Sequence, residues 1–387
     1  MLAELDAALG RRRADGLMRE RRVVDSAQGA RIRIDGRELL AFASNDYLGL
    51  ANAPEVVSAL CDAARTWGAG AGASHLIVGH QRPHEALERD LAQFVAPCAG
   101  ARAIVFSSGY LANLAILSAL AGRTDAIFAD RLNHACLTDG ALLSRARLTR
   151  YPHNDVAALR AALEASRARR RFIVTDAVFS MDGDVAPLRE LLALAEAHDG
   201  WLVVDDAHGF GVQGDGRGSL AQAGLASERI VYMGTLGKAA GVAGAFVAAH
   251  RLVVETLVQA ARPYVYTTAA PAALAAALSA ALRRIRDGGE RRAHLAALIE
   301  AFRARAGALP WRLLPSSTPI QPLILGDVAK AVRASEALVA RGIFVPAIRP
   351  PTVPAGTARL RVSLSAAHSL ADVDALADAL REVAAGA

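Results

Sequence analysis

Apolar and polar positions recur along this chain with two periods, and the switch from one period to the other lays out its elements. Leu2, Leu5, Leu9 and Leu17 fall at helical spacing, with Arg11, Arg12 and Arg13 on the polar side, which predicts an N-terminal arm helix from residue 2 to about 22. Residues 30–42 then alternate around Asp35-Gly36, the pattern of a short hairpin. The segment 44–50 reads as a loop. Pro54 opens a helix to about residue 67, and a second helix opens at Arg82-Pro83-His84 and continues to about residue 95.

From Ala103 short apolar runs appear at 104–106, 126–129, 172–175, 201–204, 229–232 and 244–247, with helical patterns between most of them. That alternation implies a mostly parallel sheet covered on both faces, whose functional sites lie at the carboxyl ends of the strands. After His250 the pattern changes to alanine- and arginine-rich helices over about 252–261, 270–286 and 290–306. Strand-like runs at 320–325, 343–345 and 359–362 alternate there with helices over 328–340 and from about 370. We expect an arm helix and hairpin over 1–45, a large α/β domain over 46–285 and a smaller α+β domain over 286–387.

Composition narrows the function classes. A chain of 387 residues exceeds one ordinary core, and 53% hydrophobic with 21% charged residues describes a folded protein. Arginine supplies nearly all of the +6 net charge, spread over many helices without interleaved aromatics, so nucleic acid is a poor fit and anionic small substrates a better one. Cys61, Cys98 and Cys136 lack metal-ligand or paired spacing, so neither zinc nor a disulfide framework is expected. Acidic residues at the N-terminus and the lack of a long uncharged apolar run lead us to expect a cytoplasmic protein without membrane spans.

The candidate chemistry centres on Thr235-Leu236-Gly237-Lys238, just after one apolar run, and on Asp205-Asp206-Ala207-His208, at the end of an earlier one. A lone lysine beside glycine is usually a loop lysine, and the Asp-Asp-Ala-His stretch alone could be a turn or half of a metal site. Together, in this order and at strand ends, they match what pyridoxal phosphate (PLP) needs: an amine to hold the aldehyde and an acid to keep the pyridine nitrogen protonated. Asp205 is the better placed acid because it directly ends the apolar run.

Ser108-Gly109-Tyr110 sits where a strand gives way to a helix, either as a phosphate cradle with Tyr110 beside the cofactor or as a plain helix cap. His134 could stack on the ring, although lone histidines are more often structural. Ser180 could bond the phenolic oxygen or be an ordinary turn serine, while His208 would reach that oxygen or the substrate and Thr235 the phosphate. The glycine-rich stretches 68–74 and 214–218 lack the strand, helix and lysine or acid contexts of nucleotide loops. The pair His208 and Asp206 has no further ligands at metal spacing, so no metal is expected.

Six stretches occur in order between residues 44 and 239: 44–50 (SNDYLGL), 133–134 (NH), 179–183 (FSMDG), 204–209 (VDDAHG), 216–218 (GRG) and 234–239 (GTLGKA). On these the sequence resembles the α-oxoamine synthases of the fold-type-I pyridoxal enzymes. The resemblance implies an α/β fold with a mostly parallel seven-stranded sheet covered by helices, a smaller α+β C-terminal domain, PLP as cofactor and a cytoplasmic homodimer with shared active sites.

Within the family, the segment 347–361 (AIRPPTVPAGTARLR) is similar to the branch that condenses L-alanine with pimeloyl-CoA, or with a pimeloyl acyl-carrier-protein thioester, in biotin synthesis. The segment 19–24 (RERRVV) mildly resembles the enzyme of a sister reaction that joins glycine and acetyl-CoA, and the segment 349–354 argues against that alternative. The resemblance assigns Lys238 as cofactor anchor and base, Asp205 as the acid sustaining the electron sink, and His134 as the stacking ring that positions the carboxylate and the oxyanion. Ser180 and His208 tune the phenolic oxygen; Gly109, Tyr110 and Thr235 bind the cofactor. Thr267 and Thr268 contact the phosphate of the neighbouring subunit, with 72–75 near that interface. Arg349 meets the amino-acid carboxylate, Thr352 the acyl end and Asn45 the substrate. Arg19 and Arg22 both fit the family's acyl-contacting arginine, and Arg22 is preferred. A catalytically silent homologue acting as a scaffold is the alternative class, against which the intact Lys238, Asp205, His134 and His208 speak.

Overall fold

The computed structural model describes residues 1–386 in two units. One gathers 1–49, 181–183 and the chain from Ala293 onward; the other holds 50–180 and 184–292. The first 49 residues thus cluster with the C-terminal segment, and the larger unit ends at Arg292.

The larger unit is built on seven strands: β1 (Arg102–Phe106), β2 (Ala126–Asp130), β3 (Arg147–Tyr151), β4 (Arg171–Asp176), β5 (Trp201–Asp205), β6 (Ile230–Thr235) and β7 (Ala245–Ala249). Their order in the sheet is β1-β7-β6-β5-β4-β2-β3. Only β7 reverses direction, pairing antiparallel with β1 and β6, while the remaining neighbours are parallel. The central strands are apolar on both faces because both are covered; Leu202, Val203 and Val204 of β5 have no solvent exposure. Strand β3 had no counterpart among the expected runs. It lies at the sheet edge, where its sequence Arg-Leu-Thr-Arg-Tyr exposes Arg147 and Arg150 instead of forming an apolar run, and such charges protect an open edge from further pairing.

Helices Gly109–Leu120, Ala135–Ser144 and Arg251–Ala260 close over the sheet through Ile116, Leu117, Leu137, Val254 and Leu257. Leu188–Ala197 packs on β4 and β5, and Ala272–Arg286 packs against Pro54–Trp67 and Arg82–Val95. The parallel register sets Asp176 opposite Asp205 and Asp205 opposite Met233, so the carboxyl ends of β4, β5 and β6 form one level row.

In the smaller unit, Arg31–Ile34 and Arg37–Ala41 form the expected hairpin. Its turn puts both Asp35 (φ 50°) and Gly36 (φ 73°) in the left-handed region that two-residue hairpin loops require. Ile343–Phe344 adds to it in parallel. A second, antiparallel sheet runs Arg312–Leu313, Ile320–Gly326, Ala358–Ser363, Ala347–Ile348, with helices Val328–Ala340 and Leu370–Ala385. The arm helix ends at Ala14 rather than near residue 22, because Asp15 and Gly16 (φ 66°) turn the chain, and none of its residues is buried. Among the described residues no helix is long and apolar enough to cross a membrane, and all three cysteines are free.

Candidate active site

Strand β6 delivers the lysine. Beyond Thr235 the chain turns back on itself: the Leu236 N–H donates to the Gly244 carbonyl and the Gly241 N–H to that of Lys238, each at 2.8 Å. The turn leaves Lys238 Nζ 2.9 Å from His208 Nε2. Lys238 is one of two lysines in the sequence, and the other, Lys330, is exposed on helix Val328–Ala340. A chain that uses arginine for almost every other fixed cation keeps an amine here, and only an amine can be deprotonated for covalent work.

The two adjacent acids after β5 face different surroundings. Asp205 is buried; its Oδ2 accepts from Asn113 Nδ2 at 2.7 Å and its Oδ1 from the Ala207 N–H at 2.9 Å. Asp206 is enclosed by its own partners, accepting from the Ser219 N–H and Oγ at 2.6 Å each and from the Tyr232 hydroxyl at 2.9 Å. Burial pushes the Asp206 carboxyl up to about 7, against the pull of the Ser219 and Tyr232 hydrogen bonds. Asp206 therefore ties a loop to the sheet, while Asp205 belongs to the cluster around Lys238 and His134.

His134 caps the helix Ala135–Ser144. Its backbone N–H donates to Asp176 Oδ2 at 2.7 Å, and its Nδ1 lies 2.8 Å from Cys136 Sγ. Burial, reinforced by the Asp205 charge, pushes the Cys136 thiol up to about 12, so the sulfur keeps its proton and donates to Nδ1. His134 has an exposed face, yet its inner edge is desolvated, which holds the imidazole below its usual value; Asp205 opposes that shift and Lys238 adds to it. Burial and the Asp205 charge hold the Asp176 carboxyl well above its usual range. The Tyr110 ring stands edge-on to His134 at 6.5 Å, and its hydroxyl donates to Asp139.

Ser108 caps the helix Gly109–Leu120, its Oγ accepting from the Leu111 N–H at 3.3 Å. A Cβ at Gly109 would come within 2.8 Å of Thr235 Cγ2, so only glycine lets this helix N-terminus lie against the end of β6. Thr235 Oγ1 donates to the Ala207 carbonyl at 3.1 Å. Ser180 is half-buried in the turn after β4, next to Phe179, whose N–H donates to the Asp184 carbonyl. Thr268, adjacent to Thr267, bridges Ser74 and borders a cavity of about 290 Å³ that Ser107, Leu236 and Gly244 also line.

The remaining sequence candidates lie in the smaller unit. Arg349 donates to the Gly16 carbonyl at 2.7 Å and the Met18 carbonyl at 3.0 Å. Arg19 donates to Thr352 Oγ1 at 3.1 Å, whereas Arg22 lies over the Phe344 ring at 5.2 Å. Arg22 and Arg349 both line a cavity of about 780 Å³. Asn45 Oδ1 accepts from Tyr47 at 3.2 Å and from Arg361 at 3.4 Å. The sequence reading missed Asn113, Cys136, Asp139 and Asp176. Asn113 had a signal: it is the only amide in the otherwise apolar run of helix Gly109–Leu120, and it has no solvent exposure.

Comparison with known proteins fits this geometry. The family model for aminotransferases of class I and II matches residues 37–380. An "8-amino-7-oxononanoate synthase" from Nitrosospira multiformis is 58% identical over 95% of this chain and 92% of its own. A solved structure of SPT (serine palmitoyltransferase) with PLP superposes with a TM-score of 0.94 at 30% identity, covering 100% of this chain and 98% of that one. A Francisella tularensis 8-amino-7-oxononanoate synthase covers 89% of this chain and 98% of its own, with a TM-score of 0.77 and 32% identity.

Proposed function

The chain belongs to the class I and II aminotransferase family, and we propose that it catalyses the PLP-dependent condensation of L-alanine with a pimeloyl thioester. The acyl carrier is CoA or acyl carrier protein, and the products are 8-amino-7-oxononanoate, carbon dioxide and the free thiol. The observation that carries this reading is the pairing of an amine, Lys238, with a buried acid, Asp205, at the carboxyl ends of neighbouring parallel strands.

The residues fit PLP. The N-terminus of helix Gly109–Leu120, brought against Thr235 by the missing Gly109 side chain, offers backbone N–H groups to a phosphate. Lys238 would hold the aldehyde, Asp205 the ring nitrogen, Ser180 and His208 the phenolic oxygen, and Tyr110 and His134 the ring faces. When bound, PLP supplies an electron sink for a carbanion at the amino acid Cα.

The protein's own groups carry the rest. Lys238 Nζ removes the Cα proton of alanine, and His208, 2.9 Å away, fixes the direction of the amine lone pair. Asp205 would face the pyridine nitrogen and keep it protonated, its two oxygens held in place by the hydrogen bonds from Asn113 and the Ala207 N–H. His134 orients the carboxylate and the developing oxyanion. Arg349 pairs with the alanine carboxylate, whose later departure is the carbon dioxide, and Arg19, Arg22, Thr352 and Asn45 receive the acyl donor.

The reading includes a cytoplasmic homodimer with Thr267 and Thr268 reaching the partner's phosphate. Exposed Ile77 (73%), Val78 (71%) and Tyr266 (73%), close in the chain to the Ser74 and Thr268 bridge, support such an interface. Incubation of the PLP-loaded protein with L-alanine and pimeloyl-CoA tests the proposal. Formation of 8-amino-7-oxononanoate is the expected result, and no product from any thioester of pimelate would refute it.

A further inference from the structure

Asn113 has no solvent exposure, yet its side chain lies in an apolar helix and is not needed to cap it. A buried amide in such a place costs free energy unless its donors are used. Here both N–H groups of Nδ2 are used, one on Asp205 Oδ2 at 2.7 Å and the other on Cys136 Sγ at 3.1 Å. The amide orientation is fixed by charge, because turning it over would face Oδ1 against a carboxylate. Oδ1 itself is buried with no partner, so the site accepts an unsatisfied acceptor in order to present two donors.

The contacts continue past Asn113. Cys136 Sγ is 2.8 Å from His134 Nδ1, and the Cys136 backbone N–H also points to Nδ1 at 3.3 Å. Two donors on Nδ1 leave the ring proton on Nε2. The amide therefore stands between the acid and the imidazole: one N–H holds the Asp205 carboxylate in place, and the other orients the thiol that sets the His134 tautomer.

We propose that Asn113 is a positioning residue for the PLP site, aligning Asp205 directly and His134 through Cys136. The inference rests on the PLP reading above. Asn113 touches neither cofactor nor substrate and acts by removing the freedom of the two side chains that do. A single residue so placed couples the electron sink to the ring that orients the substrate carboxylate.

The test is a double-mutant cycle on the full-length protein, read by PLP affinity and by the pH at which the visible band of bound PLP titrates. Asn113→Leu keeps the volume and removes both donors; Asp205→Asn removes the acceptor. If Asn113 acts through Asp205, Asn113→Leu weakens PLP binding by about tenfold and displaces the titration of the band. In the Asp205→Asn background it then adds less than about twofold. A wild-type affinity and titration in Asn113→Leu, or full additivity in the double variant, would overturn the inference. Should Asn113→Leu fail to fold, Asn113→Asp, which keeps the shape and replaces both donors, is expected to loosen PLP in the same way, and unchanged binding there counts against the inference. Wild-type protein that takes up no PLP overturns the reading beneath it, and that result is distinct from any in the cycle.

Discussion

Lys238 Nζ and His208 Nε2 face each other at 2.9 Å, across the gap between the turn that follows β5 and the turn that follows β6. An amine held on an imidazole nitrogen has a fixed direction, as a base that must meet one Cα proton requires. Lys238→Ala is expected to lower kcat by at least about 10⁴-fold and to leave PLP removable by gel filtration. His208→Ala, which keeps the amine but frees its direction, is expected to lose on the order of 10- to 100-fold in kcat. Steady-state product assays on both variants check the order of these losses.

The adjacent acids give opposite outcomes. Asp205→Asn is expected to cut kcat by on the order of 10²- to 10³-fold, with a thermal midpoint close to wild type. Asp206→Asn leaves the bound PLP spectrum in place and lowers stability by about 1–3 kcal/mol, because one of the two oxygens that accept from Ser219 and Tyr232 becomes an NH2 donor. Denaturant melts and PLP absorbance, run side by side on both variants, separate the two roles.

Much of this was legible in the chain. Continuous apolar runs mark β4 to β6 because a covered parallel strand has two buried faces, and the acid that ends β5 and the lysine just after β6 stand out against those runs. Strand β3 was not legible, since an edge strand needs no apolar run and its pairing with β2 is long-range information. The arm helix is shorter than its periodicity predicts: Leu17 continues the helical spacing beyond Asp15-Gly16, but the turn there outweighs it. Asn113, Cys136 and Asp176 joined the site only through the register that brings β4, β5 and two helices to one level.

The acyl-side arginines differ in their partners. Arg19 shares a hydrogen bond with Thr352, whereas Arg22 is held over Phe344. Arg19→Ala and Thr352→Ala are expected to raise KM for pimeloyl-CoA by about three- to tenfold each and to be non-additive when combined. Arg22→Ala is expected to combine additively with Thr352→Ala. Initial rates across thioester concentrations at saturating alanine measure all three.

Away from the site, His153 links Asp130 at 3.1 Å and Asp184 at 2.7 Å. Burial would lower its pKa, but the hydrogen bonds the ring donates to the two carboxylates outweigh it and push the imidazole up to about 10. A folded pKa above the unfolded one means that the stabilisation is complete below about pH 6.5 and fades as pH rises towards 10. Unfolding free energy should therefore fall between pH 7 and 10 by on the order of 1–2 kcal/mol more in wild type than in His153→Gln. Parallel urea stability curves for the two proteins would contradict this.

The most direct test of the central claim is the absorbance of PLP-loaded protein during titration with L-alanine and then pimeloyl-CoA, with carbon dioxide and 8-amino-7-oxononanoate quantified in the same sample. The expected result is a change in the PLP band on adding alanine and release of both products on adding the thioester. A response to glycine and acetyl-CoA, with none to alanine and pimeloyl-CoA, would contradict it.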